Sequence, residues 1–427
     1  MPRKSIVAFL LCAAATAHAA APQAPQEIVF RHALSGEVAA LLVDLVGRFN
    51  AEGKGGKVAL QHVSMAEDLH RLPHIALLDD DDYQQFFEGR PRMLPLHKVM
   101  ADAREKLDAA RFYPVIVDIV DDAKGRIRAL PLALSVPVLF YNKDAFRKAK
   151  ADPDQPPKTW WEVQTAAGKL FDAGYRCPFT SSNMAWVHLE NVSTLHKEPL
   201  ANGERSGKAG LALNGLVQVK HIALLSSWYK SFYFRYFGRG READEKFASG
   251  ECGMLTSDSS LYVRLARIKP FDFGIAELPY HDDVRDAAPG RVLPDGPALW
   301  VLAGKKAPEY KVVAHFVAFL LRPEVQKEWV RATGYLPMTP AAVEALAAEG
   351  VAPELLHRTA QRLSEKKFVT AARPKAILGL SRVRAILNEE LEAVWANRKP
   401  AKEALDTAVL RGNAVMEPVP ADAAPAR

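Results

Sequence analysis

The stretch Glu27-Ile-Val-Phe-Arg-His-Ala-Leu-Ser-Gly-Glu-Val-Ala-Ala-Leu-Leu-Val-Asp-Leu-Val-Gly-Arg-Phe49, with the glycine-rich break Gly53-Lys-Gly-Gly56 and the run Val58-Ala-Leu-Gln-His-Val63 behind it, decides the fold class. Its first four residues read as an apolar strand. Val38, Leu41, Leu42, Leu45, Val46 and Phe49 then recur at the spacing of a helix with one buried face. The glycines stop that helix, and Val58 to Val63 resumes as strand. A strand, helix, strand unit marks the chain as α/β. Next, His74-Ile-Ala-Leu-Leu78 lacks polar alternation, as a strand buried on both faces does. It delivers Asp79, Asp80, Asp81 and Asp82 at its carboxyl end, where open α/β sheets hold ligands.

A second α/β block follows. Two β-rich runs between Pro114 and Leu130 flank Asp121-Asp-Ala-Lys-Gly125, a hairpin signal. Val138 to Tyr141 reads as a strand, and Thr159-Trp-Trp-Glu162 as a capping box opening a helix that stops at Gly174. Strands at Arg176 to Thr180 and Glu251 to Thr256 bracket a helix near Val217 to Lys230. After the apolar strand Pro297 to Leu302, helices dominate: 310–321, 323–332, 341–348, 380–396 and 401–411. Residues 414–427, rich in Pro and Ala, read as a disordered tail.

The 427 residues, 49% hydrophobic and 25% charged with 3 Cys, exclude low-complexity and disulfide-scaffold classes and allow two or three separate cores. The net charge of +6 is scattered, which points away from nucleic acid. One basic stretch, Arg235-Tyr-Phe-Gly-Arg-Gly-Arg241, interleaves aromatics and arginines and is expected to be a solvated loop. Arg3 and Lys4, the apolar run Ile6 to Ala15 and Ala17-His18-Ala19 make residues 1–20 a cleavable secretory leader. Leu11 stands where lipidation of Cys12 needs a small residue. Cys177 and Cys252 would then lie in an oxidising space, as a disulfide or as two buried thiols.

Catalytic signatures are missing: no GxSxG, HExxH, GxxxxGK[ST], paired CxxC or suitably placed GxGxxG occurs. Four adjacent aspartates do not alternate as a calcium loop requires, so Asp79 to Asp82 reads as a solvated turn from which one carboxylate could face a cleft. His32, His62 and His74 match no zinc spacing and read as half-buried histidines. No metal or cofactor is expected.

At Tyr141-Asn-Lys-Asp144 and Pro156-Pro-Lys-Thr-Trp160 the sequence resembles the extracellular solute-binding proteins of ABC importers, of the maltose- and sugar-binding type. Leu189-Glu-Asn191, Val219-Lys-His-Ile-Ala223, Gly250-Glu-Cys-Gly-Met254, Thr333-Gly-Tyr-Leu-Pro337, Glu389-Glu-Leu-Glu-Ala-Val-Trp395, Ala404-Leu-Asp-Thr-Ala-Val409 and Arg411-Gly-Asn413 are similar to its glycerol-3-phosphate-binding branch. The resemblance implies a two-lobed periplasmic binding protein fold of type II. It assigns 26–132 with 298–334 to lobe 1 and 137–293 with 338–413 to lobe 2. Hinge crossings fall near Ala133 to Val136, Pro294 to Pro297 and Gly334 to Pro337. The partners it implies are a small polar solute of the glycerol phosphate type and the importer's membrane permease, for a monomeric periplasmic protein.

Carried over by position, the resemblance places a ligand serine on Ser135, a glycine amide on Gly296, a tyrosine on Tyr335, an arginine on Arg384 and a hydroxyl-binding acid on Asp80. Guanidinium, hydroxyls and a bare amide form a phosphate-competent donor set. The local alternative for Arg384 is an ion pair with Glu390. One of two pocket tryptophans falls on Trp186, as ligand wall or as core, and the other position is Asn183. The first-lobe tyrosine has no counterpart, since Met65 or Ala66 stands there. A second ligand serine falls on Asp258 and a glycine on Asp295, two carboxylates that burden a dianion unless they face away or meet a cation. The solute expected is therefore sn-glycerol-3-phosphate or a glycerophosphodiester. The rivals are a sugar or polyol binder and a secreted hydrolase with Asp80 and Asp258 as an acid/base pair.

Overall fold

The computed structural model describes residues 26–53, 56–63, 72–78, 93–112, 125–202, 210–287, 289, 291–347, 359, 363 and 380–416. The leader, the aspartate run with Asp80, Met65 and Ala66, the 121–125 turn apart from Gly125, and the tail from 417 on lie outside the described residues.

The chain opens with β1 (Glu27–His32), α1 (Gly36–Glu52), β2 (Lys57–His62) and β3 (Ile75–Leu78). β1 pairs in parallel with β2 and β3. Leu42, Leu45, Val46 and Phe49 form the buried stripe of α1, and Gly53 ends it at a φ of 63°. His32 and His74 are buried, and His74 Nδ1 accepts the Val29 amide proton at 2.9 Å, whereas His62 is exposed.

The chain then crosses through Ala133–Val136 and builds a second sheet from β4 (Pro137–Asn142), β5 (Cys177–Ser181), β8 (Phe234–Arg235), β9 (Cys252–Asp258) and β10 (Phe273–Glu277), in the order β10-β4-β9-β5-β8. A short ribbon of β6 (Ala201–Asn202) and β7 (Gly210–Leu211) lies apart from it. The capping box holds as read: Thr159 Oγ1 accepts from the Glu162 amide at 3.2 Å, Glu162 accepts from the Thr159 amide, and α2 (Trp160–Asp172) follows. The helices α3 (Leu216–Lys230), α4 (Glu242–Ala248) and α5 (Leu261–Ile268) complete this stretch. Cys177 and Cys252, register partners on β5 and β9, are joined in a disulfide, which resolves the alternative left open by the sequence.

A second crossing returns the chain as β11 (Ala298–Val301), antiparallel to β3, so the first sheet reads β11-β3-β1-β2. The helix α6 (Ala307–Leu320) packs on it and α7 (Pro323–Thr333) packs against α1, and a third crossing leads to α8 (Leu380–Trp395) and α9 (Ala401–Val415). Among the described residues two large hydrophobic cores result, with a small third cluster of Ala76, Leu78 and Leu302. One draws on Ile28 to Leu132 and Ala298 to Met338, the other on Leu134 to Leu293 and Leu336 to Ala408. No helix among the described residues is long and apolar enough to cross a membrane.

The second core contains a row of buried imidazoles. His188 Nδ1 lies 2.9 Å from His221 Nε2, and His221 Nδ1 lies 3.1 Å from His281 Nε2. His196 Nε2 accepts the His281 backbone amide proton at 3.1 Å. Burial holds His188 and His281 near a pKa of about 3 and His196 near about 4, with the Lys220 ammonium adding to the effect at the latter two. When unfolded, each imidazole takes up a proton as pH falls through about 6.5; when folded, it stays neutral until far lower pH. Their stabilisation is therefore complete above about pH 6.5 and declines by at most about 1.4 kcal/mol per pH unit per group as pH falls below it. Thermal unfolding followed at pH 7.5 and pH 5.0 should show a clearly lower midpoint in acid, and an equal or higher one would refute this account of the histidine row.

Candidate functional site

The three crossings lie side by side. Ser135 and Asp295 exchange both backbone bonds, at 2.9 and 3.0 Å, Ala133 donates its amide proton to Pro297 O at 3.1 Å, and Leu336 donates to Leu134 O at 2.7 Å. Gly296 makes this approach possible. Its φ is 137°, and a Cβ there would stand 2.1 Å from Ala133 O. Above the junction lies a cavity of about 500 Å³. Ser135, Trp186, Asp258, Gly296, Tyr335 and Arg384, six of the seven residues singled out from the sequence, line it, as does Asn183. Asp80 lies outside the described residues.

Each polar residue is placed by a local device. The amino acids after β5 turn at Asn183, whose φ is 51°, and enter a π-helix over Trp186–Asn191. Asn191 fastens it, donating from Nδ2 to Trp186 O at 3.0 Å and accepting the Leu293 amide proton at 2.6 Å. Trp186 is both readings at once, a buried core side chain and a cavity wall. Its Nε1 hydrogen is buried without a partner among the described residues.

Arg384, on α8, does not meet Glu390, which pairs instead with Lys399 and Arg411. Its Nε donates to Glu190 Oε1 at 2.6 Å and its Nη2 to Glu190 Oε2 at 2.8 Å, while Nη2 also stands 2.6 Å from Asp295 Oδ2. The Glu190 side chain is only 4% exposed and that of Arg384 17%. The Gly296 amide donates to Asp295 Oδ1 at 2.8 Å. The departure at Asp295 thus meets a cation.

The stretch Arg235 to Arg241 corrects the solvated-loop expectation, because Arg239, Gly240 and Arg241 line the cavity. The Asn183 amide donates to Gly240 O at 2.9 Å and pins the loop there. Arg239 forks onto Glu392 at 2.8 and 2.5 Å. Arg241 donates from Nε to Asp244 Oδ2 at 2.8 Å and pairs through Nη1 with Asp258 Oδ2 at 2.9 Å. Asp244 is buried, and its other oxygen accepts from Ser182 Oγ and Ser257 Oγ, each at 2.7 Å. Burial raises the Asp244 carboxyl above its ordinary range, Asp258 adds to this, and Arg241 and the two serines oppose it. Asp258 Oδ1 accepts from the Ser260 amide at 2.9 Å and from Ser260 Oγ. Burial, with Asp258 next, pushes the Tyr335 phenol up, which keeps it a donor.

Sequence reasoning missed Glu190, Arg241 and Asp244. The first lay within a quoted family stretch and the second in a flagged basic stretch, while Asp244 carried no signal. Among the described residues that line the cavity, three guanidiniums, Arg239, Arg241 and Arg384, stand with two carboxylates, Asp258 and Asp295, and Glu190, Asp244 and Glu392 pair with the same guanidiniums from outside the lining. No cluster of three or more metal-binding side chains occurs among the described residues.

A sheet-and-helix pair of cores with a donor-lined cavity at their junction is the layout of a solute-binding protein. The chain belongs to the bacterial extracellular solute-binding proteins, whose family pattern matches residues 72–354. It is 36% identical over 430 residues to the sn-glycerol-3-phosphate-binding periplasmic protein UgpB of Yersinia enterocolitica, covering 97% of each chain. Among solved structures, the cyclic alpha-maltosyl-1,6-maltose binding protein of Arthrobacter globiformis aligns with a TM-score of 0.73 and 22% identity, over 92% of this chain and 99% of that one. UgpB of Mycobacterium tuberculosis in complex with glycerophosphocholine aligns with a TM-score of 0.73 and 20% identity, over 92% and 98%. These two likenesses concern the fold, which is that of the two-lobed sugar-binding periplasmic proteins.

Replacing Gly296 by Ala should lower the melting midpoint by several degrees, since the new methyl group meets a backbone carbonyl that cannot swing away. An unchanged midpoint would show that the crossings do not depend on this close approach.

Proposed function

We propose that the chain is the solute-capturing subunit of an ABC importer, working in the periplasm as a monomer and holding sn-glycerol-3-phosphate or a glycerophosphodiester for delivery to the permease. The observation that carries this is the convergence of Ser135, Trp186, Asp258, Gly296, Tyr335 and Arg384 on one cavity at the crossings. Those positions are separated by up to 249 residues in sequence and have no reason to meet in a protein with another use for them. The name of the Yersinia relative points to the same solute class.

Capture follows from the donor set. Guanidinium edges take phosphate oxygens, the Ser135 and Tyr335 hydroxyls add donors, and the Trp186 indole supplies an apolar wall for carbon atoms. Groups at a hinge touch the solute most fully when the lobes close on it, so the solute favours the closed form. The activity is binding without covalent chemistry. Asp258, whose oxygens are taken by Ser260 and Arg241, is a poor acid or base for the hydrolase alternative.

A second reading is a neutral sugar or polyol. It is favoured by one observation: Arg239, Arg241 and Arg384 each already have a carboxylate partner. A thermal-shift panel of sn-glycerol-3-phosphate, glycerophosphocholine, glycerophosphoethanolamine, maltose and free glycerol separates the two. The true solute at a hundred times its dissociation constant stabilises by about 2.7 kcal/mol. Response to a phosphate ester alone is expected, and response to maltose or glycerol alone would reject the leading reading. Arg384→Lys keeps a cation beside Glu190 but loses the fork, and should weaken phosphate-ester binding about tenfold by calorimetry. Unaltered affinity would remove Arg384 from the site.

A further inference from the structure

We propose that Asp258, by occupying an edge of the Arg241 guanidinium inside the cavity, is the specificity-determining residue that sets the protein against dianionic phosphate monoesters and in favour of monoanionic or zwitterionic phosphodiesters. This rests on the glycerol-phosphate reading given above and sharpens it.

The three cavity arginines are not equivalent. Arg239, 46% exposed along its side chain, has Nε and Nη2 forked onto Glu392. Arg384 is forked onto Glu190, touches Asp295 as well, and is 17% exposed along its side chain. Arg241 is 46% exposed and is gripped from behind at Nε by Asp244, a buried carboxylate whose second oxygen is fixed by Ser182 and Ser257. The accessible guanidinium therefore has a fixed base and a front edge. Asp258 Oδ2 sits on that edge at 2.9 Å. Asp258 is itself fixed, because its other oxygen is held by the Ser260 amide and hydroxyl. It cannot swing clear without giving up both of those bonds.

An incoming phosphate group must share this edge with a carboxylate. A monoester carries a charge of about −1.5 to −2 at pH 7 because its second proton leaves near pH 6, whereas a diester carries one charge only. Repulsion from a fixed neighbouring carboxylate scales with that charge, and in a cleft of intermediate dielectric it is worth kilocalories rather than tenths. A diester with an ammonium headgroup suffers less, and its ammonium can take Asp258 or Asp295 of the lining as a counter-ion. Such discrimination by a built-in repulsive group is how a site rejects a close analogue of its solute.

Calorimetry with sn-glycerol-3-phosphate and glycerophosphocholine on wild-type protein, Asp258→Asn, Asp258→Ser and the double variant Asp258→Asn with Arg241→Gln tests the assignment. Asparagine preserves the shape and an acceptor for the Ser260 amide, so it is the variant most certain to fold. Each single variant should raise the affinity for the monoester relative to the diester about tenfold, and the double variant should lose that gain, because it passes through the freed guanidinium. A ratio unchanged within twofold in both single variants, or a gain that survives loss of Arg241, overturns this inference while leaving the glycerol-phosphate reading in place. Wild-type protein that binds neither ester overturns that reading and this inference with it.

Discussion

The contact between Gly296 and the Ala133 carbonyl governs the rest of the molecule. Two cores of similar construction could be joined by any linker, but here the crossing strands are hydrogen-bonded to one another as a miniature ladder, with Ser135 and Asp295 at its centre. That ladder closes only because one position has no side chain. It fixes where the cavity floor lies and aims Ser135, Asp295 and Tyr335 into the same space.

The cavity resting on this seam is built from compensated charge. Each guanidinium is held by a carboxylate that is itself held: Glu392 by the Tyr236 hydroxyl, Glu190 by burial in a π-helix, Asp244 by two serine hydroxyls, Asp258 by Ser260. This removes the entropy cost of ordering long side chains when a solute arrives, because they are ordered already. It also leaves each lining guanidinium already paired, so affinity must come from hydrogen-bond geometry more than from bulk attraction, and a solute that leaves buried donors unpaired is rejected strongly.

Local physics made much of the fold legible in advance. The helical period from Val38 to Phe49, the Thr159 and Glu162 capping box and the unbroken apolar runs of β3, β4 and β11 report short-range preferences that tertiary packing had no reason to override. The seam residues Ser135, Gly296 and Tyr335 were reached only through family resemblance, since nothing in a lone serine or glycine announces a cleft. What stayed hidden depends on pairing across long separations. Arg384 finds Glu190 across 194 residues rather than the nearby Glu390, and no periodicity encodes that choice. The π-helix was illegible because one extra residue per turn has no compositional mark. The Arg235 to Arg241 stretch looked solvated because its arginines are indeed partly exposed, but Arg239 and Arg241 are exposed to a cavity.

The cystine between Cys177 and Cys252 joins β5 and β9 at their amino ends, whereas Asn183 and Asp258 reach the cavity from their carboxyl ends. The covalent cross-link therefore reinforces the second sheet on the side where nothing is recognised, and leaves the opposite side free to settle around a guest. Toughness and selectivity are thereby lodged at opposite poles of the same pair of strands, so evolution can retune one without disturbing the other.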